Sequence, residues 1–127
     1  MTRHDGGMNR LIAIGAASYA GLGIVSFVKP DVVPAVVGFT APSADARTEI
    51  RAVYGGLPLA LAATLAASPT TGTAIGVATA GMAAGRAGSA YLERGLSPKM
   101  AGFMALEAAM AGALVLGARR ARKALAA

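Results

Sequence analysis

Residues 11–28, "LIAIGAASYAGLGIVSFV", run for 18 positions without a charge. At about 1.5 Å of rise per residue, a helix of this length spans about 27 Å, close to the roughly 30 Å of a bilayer's hydrocarbon core. A chain carrying such a segment must bury it in a large core or give it lipid. This chain has 127 residues, of which 55% are hydrophobic and 14% charged. Soluble domains carry about 25% charged residues, and small ones expose much of their surface. Few polar groups are therefore available to coat a water-soluble fold. The segment reads as a retained transmembrane helix. A cleaved leader is the competing reading, but the run leads into Lys29-Pro30-Asp31 and not into a small-x-small cleavage site.

Three more helix-sized stretches follow. In "TEIRAVYGGLPLALA" (48–62) a glutamate, an arginine and a tyrosine stand against an apolar run that ends before Pro69. Residues 57–68 alone reach only about 18 Å, so a crossing helix must recruit residues back to Ile50. That choice draws Arg51 and Tyr54 into the membrane and leaves Glu49 at its boundary. The third stretch covers 73–92 and contains Arg86, with Gly95 as the expected helix stop. The fourth covers 99–118 and contains Glu107. Ser43 and Ser97 are placed as N-caps, and Pro98 suits a first helical position. Residues 31–42, with Pro34 and Pro42, are too short to span and read as an interfacial or re-entrant connection. The expected fold is all-α: a single transmembrane domain of four helices at about 11–28, 50–68, 73–92 and 99–118. A polar tail (1–10) precedes it and a basic tail (119–127) follows.

Four crossings put both termini on one side. Arg3, Arg10, Arg119, Arg120, Arg122 and Lys123 gather there, against Lys29, Arg47, Arg94 and Lys99 opposite. The positive-inside tendency makes that side cytoplasmic, and the last four basic residues form an anchor for anionic lipid. Net charge is +6, but the basic residues are not interleaved with aromatics on one face, so nucleic acid is not the expected partner.

Depth arithmetic brings the intramembrane polar groups into one outer layer. Arg86 lies six residues before Leu92, Glu107 seven after Met100, and Tyr19 nine before Val28. Glu49, Arg51 and Tyr54 enter from the same side. An isolated charge at membrane depth costs about 2.5–3.5 kcal/mol, so these six groups are expected to face inward and pair, Arg86 with Glu107 first. Such a network can be a structural lock, a headgroup or ligand site, or a coupling pair for transport. The seventeen glycines favour close helix packing, with Gly72, Gly76, Ala80, Ala84 and Gly88 at four-residue spacing and Gly81 and Gly85 beside them. Gly55 and Gly56 have the same use next to the second charged motif.

"E-I-R-A-V-Y-G-G-L" (49–57) resembles the signature of a family of small bacterial four-helix membrane proteins of unknown function. In that family an E-x-R-A-x-Y-G-G stretch opens the second helix, an Arg lies in the third and a Glu in the fourth. Glu49, Arg51, Ala52, Tyr54, Gly55 and Gly56 match the first element; Arg86 and Glu107 are candidates for the others. The resemblance implies a multi-pass inner-membrane location and no established chemistry.

Cysteine is absent and the one histidine, His4, sits in the polar leader, so no thiolate or clustered metal site is expected, and no cofactor. The expected function is non-enzymatic: an accessory or structural subunit of a larger inner-membrane complex for envelope, lipid or solute transport, with membrane lipids and either that complex or itself as partners. The alternative is a small homo-oligomeric transporter using the Arg86–Glu107 pair. It resembles small multidrug exporters in size but lacks their glutamate in the first helix. An intramembrane enzyme using Tyr54 or Glu49 lacks a supporting constellation.

Overall fold

Every described element is helical, in a computed structural model that describes residues 8–127. His4, Arg3 and most of the expected polar tail lie outside the described residues. The chain divides into two compact units: Ala13–Ala67, and Ser68–Ala127 together with the chain up to Ile12.

The Ala13–Ala67 unit holds most of α1 (Arg10–Val28), then α2 (Val32–Val37), α3 (Ala44–Ile50) and α4 (Leu57–Ala67). A short α2 stands where the sequence suggested only a connection. Pro34 falls in its first turn, where a missing N–H costs nothing. Gly38 ends α2 with φ 88°, and the Phe39 and Gly38 amides donate to the Pro34 and Ala35 carbonyls. This paired closure is the Schellman motif, for which glycine is the natural left-handed residue.

The helix that carries the second apolar stretch begins before Ile50. Helix runs unbroken from Ala44 to Ala67, 24 residues, with Ser43 accepting a hydrogen bond from the Ala46 amide as its N-cap. Between α3 and α4 the backbone widens into a π turn, Arg51–Gly56, in which the Leu57 amide donates to the Ala52 carbonyl five residues back. The cause lies one residue further on. Pro58 has no N–H to donate, and in α-geometry its ring presses on the Tyr54 carbonyl. A wide turn before it relieves both problems. The motif glutamate, arginine and tyrosine therefore sit inside a helix.

In the second unit a 3₁₀ turn (Pro69–Thr71) leads into α5 (Gly72–Leu92), which folds back along α6 (Pro98–Ala126). Ser97 caps α6 by accepting from the Met100 amide, with Pro98 at the first helical position. The turn between the helices departs from expectation by one residue. Arg94, not Gly95, takes the left-handed conformation, with φ 53°. The Gly95 amide reaches the Ala90 carbonyl and the Arg94 amide the Tyr91 carbonyl, again a Schellman closure. The fourth helix is also longer than expected. It continues past Ala118 through the basic residues to Ala126, because Ala, Arg and Lys are all good helix formers and no breaker intervenes.

Each unit is held by close backbone approach at glycine. A Cβ placed on Gly76 would lie 2.9 Å from the Ala111 carbonyl, and one on Gly72 2.7 Å from that of Leu114. Ile12, Ile75, Leu114 and Ala118 fill the space beside them. In the other unit a Cβ on Gly23 would lie 2.8 Å from the Gly55 carbonyl.

Three helices, Arg10–Val28, Ala44–Ala67 and Pro98–Ala126, are long and apolar enough to cross a membrane, with mean hydropathy 2.0, 1.4 and 1.7. The chain buries no more than a third of each crossing window, so most of that apolar surface faces outward, as suits a membrane protein. α5 has the length, 21 residues, but is not among the three. Arg86, the five glycines and Thr73, Thr79, Ser89 and Tyr91 lower its hydropathy.

Candidate functional site

Arg86 leaves α5 two turns before the hairpin and meets one face of α6. Its Nε donates to both carboxylate oxygens of Glu107, at 3.0 and 3.1 Å, and its Nη2 stands 3.0 Å from Oε1. Nη1 donates to the Met100 sulfur at 3.6 Å, and the guanidinium lies over the Phe103 ring, 5.3 Å from its centroid. Met100, Phe103 and Glu107 are three and four residues apart, which lines them up along a single helix face. The cation thus has a carboxylate, a π-face and a soft sulfur around it, all from one neighbour. Glu107 is the more enclosed partner, 12% exposed against 34% for Arg86. About a third of the Arg86 side chain stays accessible.

The other polar candidates belong to the Ala13–Ala67 unit. Arg51 directs its Nε to the Phe27 carbonyl at 2.9 Å. The last carbonyls of a helix carry the negative end of its dipole and lack the usual partner within it, and the guanidinium caps one of them, that of Phe27. Gly55 carries the same contact further. An added Cβ there would meet the Phe27 side chain at 3.3 Å. Two residues of the E-x-R-A-x-Y-G-G stretch therefore fasten the end of α1 to the π turn. Glu49, in α3, and Tyr54, in the π turn, are exposed, and Tyr19 is buried in α1. A Cβ added on Gly56 would meet the Arg51 carbonyl at 3.7 Å, an ordinary contact.

Of the α5 glycines, Gly72 and Gly76 face α6 as described. A Cβ on Gly81, Gly85 or Gly88 meets nothing within 4 Å among the described residues. Two of these five glycines are used within the hairpin and three are open. In the basic segment, Arg122 Nη2 donates to the Thr73 hydroxyl at 2.9 Å, while Arg119, Arg120 and Lys123 are exposed.

Sequence reasoning missed two features. Asn9 Nδ2 donates to the Gly117 carbonyl at 2.8 Å, and its Oδ1 accepts from the Ile12 amide at 3.2 Å, tying the start of α1 to α6. An Asn just before an apolar helix is an N-cap signal that could have been read. The other is Ser26, fully buried with a hydroxyl that meets no partner among the described residues. Ser18, Thr48, Thr64 and Thr79 all donate to the carbonyl four residues back. Ser26 stands apart from that pattern.

Among the described residues no group of three His, Cys, Asp or Glu could hold a metal ion. A family model described as a domain of unknown function, DUF4345, matches residues 8–118. The chain belongs to the DUF4345 family. No curated protein and no solved structure matches it. The DUF4345 match takes in both units, the π turn and the Arg86–Glu107 pair, and stops just short of Arg119.

Proposed function

We propose that this DUF4345 protein is a non-enzymatic, multi-pass protein of the bacterial inner membrane that serves as an accessory or structural subunit of a larger transport or envelope complex. The observation that carries this reading is the division of α5 into two small-residue faces. Gly72 and Gly76 are filled by α6, whereas Gly81, Gly85 and Gly88 are open. In lipid, where packing replaces water exclusion as the driving force, an open glycine face lets another helix approach closely. Four crossings follow if α5, 21 residues long and packed along α6, spans with the three more apolar helices. Both termini are then cytoplasmic under the positive-inside tendency. Native affinity purification from membranes in mild detergent, followed by mass spectrometry, tests the proposal. Recovery of the chain alone, under conditions where control complexes survive, refutes it.

A second reading is a small homo-oligomeric transporter in which Arg86 and Glu107 form the coupling pair. It is favoured by the partial exposure of the Arg86 side chain beside a more enclosed Glu107. Substrate flux in proteoliposomes that is unchanged by Glu107→Gln ends this reading.

A further inference from the structure

The basic end of α6 has features that the subunit reading leaves unused. Arg119, Arg120, Arg122 and Lys123, with Leu116 one turn earlier, line an open concavity of about 420 Å³. Among the described residues no carboxylate pairs with any of the four cations. Arg122 is held in place by the Thr73 hydroxyl at the start of α5. Asn9 fastens the first turn of α1 to Gly117 of the same helix, which brings Arg10 to this end of the unit. Among the described residues, five cations that no acid pairs with thus collect where the most continuous apolar stretch of α6 gives out.

We propose that this concavity binds the phosphate headgroup of an acidic phospholipid. The phosphate seats between Arg119, Arg120 and Lys123, and the first acyl methylenes lie over Leu116, which is 44% exposed. Guanidinium groups hold phosphate oxygens bidentately and lysine adds a point charge, so the donor set fits a phosphodiester. The apolar wall on one side and the cations on the other match an amphiphile. A free phosphate has no use for Leu116. The four cations lie beyond the stretch matched by the DUF4345 model, and Leu116 lies just inside its end. The assignment rests on the membrane reading above, though not on the presence of a partner complex.

The test uses the full chain purified in a mild detergent, mixed with equal amounts of phosphatidylglycerol and phosphatidylcholine and examined by native mass spectrometry. The expected result is preferential retention of phosphatidylglycerol. A basic residue near an anionic surface contributes about a fivefold factor in binding, so the triple variant Arg119→Gln, Arg120→Gln, Lys123→Gln should retain roughly tenfold less or worse. These three side chains are exposed, so the variant should melt like the parent. Equal retention by the variant overturns the proposal. Displacement of the lipid by inorganic phosphate, or by a short oligonucleotide of matched charge, also overturns it, because the site would then read anionic charge alone. Flotation with vesicles of phosphatidylcholine only separates the two layers of the reasoning. Failure to float refutes the membrane reading and the lipid site with it; flotation combined with no preference for phosphatidylglycerol in the mass spectra refutes the site alone.

Discussion

Gly76 and Gly81 stand on the same helix five residues apart, and alanine should have opposite effects at the two. At Gly76 an added Cβ would lie 2.8 Å from Val115 Cγ2 and 2.9 Å from the Ala111 carbonyl, where 3.4 Å marks ordinary contact. Relief needs displacements of 0.6 Å (3.4 − 2.8) and 0.5 Å (3.4 − 2.9). Neither neighbour gives easily, since one is backbone and the other a β-branched side chain with a stiff χ1. α6 itself must move, and such overpacking costs about 1–3 kcal/mol. At Gly81 the same methyl meets nothing within 4 Å. Both substitutions share the helix-propensity gain of about 1 kcal/mol, which cancels in their difference. Gly76→Ala should therefore be less stable than Gly81→Ala by about 1–3 kcal/mol. Titration with a denaturing detergent in mixed micelles, followed by far-ultraviolet circular dichroism, measures the gap. A gap within about 0.5 kcal/mol of zero, or one of reversed sign, would refute the assignment of faces on α5.

Three further outcomes are expected. Arg94→Gly should stabilise the chain by about 1 kcal/mol in the same titration, because it removes a side chain from a left-handed position; Gly95→Ala should be nearly neutral. A double-mutant cycle of Arg86→Gln and Glu107→Gln should give a coupling energy of about 1–2 kcal/mol, held down by the partial exposure of Arg86. The charge exchange Arg86→Glu with Glu107→Arg should recover part of the loss, and a coupling near zero would assign the two residues to different partners. Arg51→Gln should weaken the cap on α1 by about 1 kcal/mol and speed amide hydrogen exchange near Val28, with no change around Glu107.

The helical class, the N-caps at Ser43 and Ser97, and the approximate extent of the apolar segments were legible because each depends on short-range chemistry. Arg86 and Glu107 were readable as facing residues since both lie a couple of turns from one hairpin. Other features were hidden for physical reasons. Arg51 binds a main-chain carbonyl, and every helix offers such carbonyls without any mark in the sequence. The π turn was half visible: Pro58 announced a disturbed hydrogen bond, but the backbone can answer with a kink, a break or a widened turn. Glycine rhythm on α5 could not say which faces another helix of the chain would fill. The long reach of α6 was obscured by treating positive charge as the end of a helix, when arginine and lysine only mark where lipid would give way to water. Arg94 defied the preference for glycine in a left-handed turn although Gly95 stood next to it.

The widened turn at Arg51–Gly56 has a geometric consequence for the whole rod of Ala44–Ala67. One extra residue in a turn amounts to about 100° of rotation, so the residues after Pro58 are phased differently from those before Arg51. The segment can present its arginine to the end of α1 while turning the aliphatic side chains beyond Leu57 toward a different quarter of their surroundings. Shortening the motif by one residue would restore uniform winding and swing every later side chain out of phase.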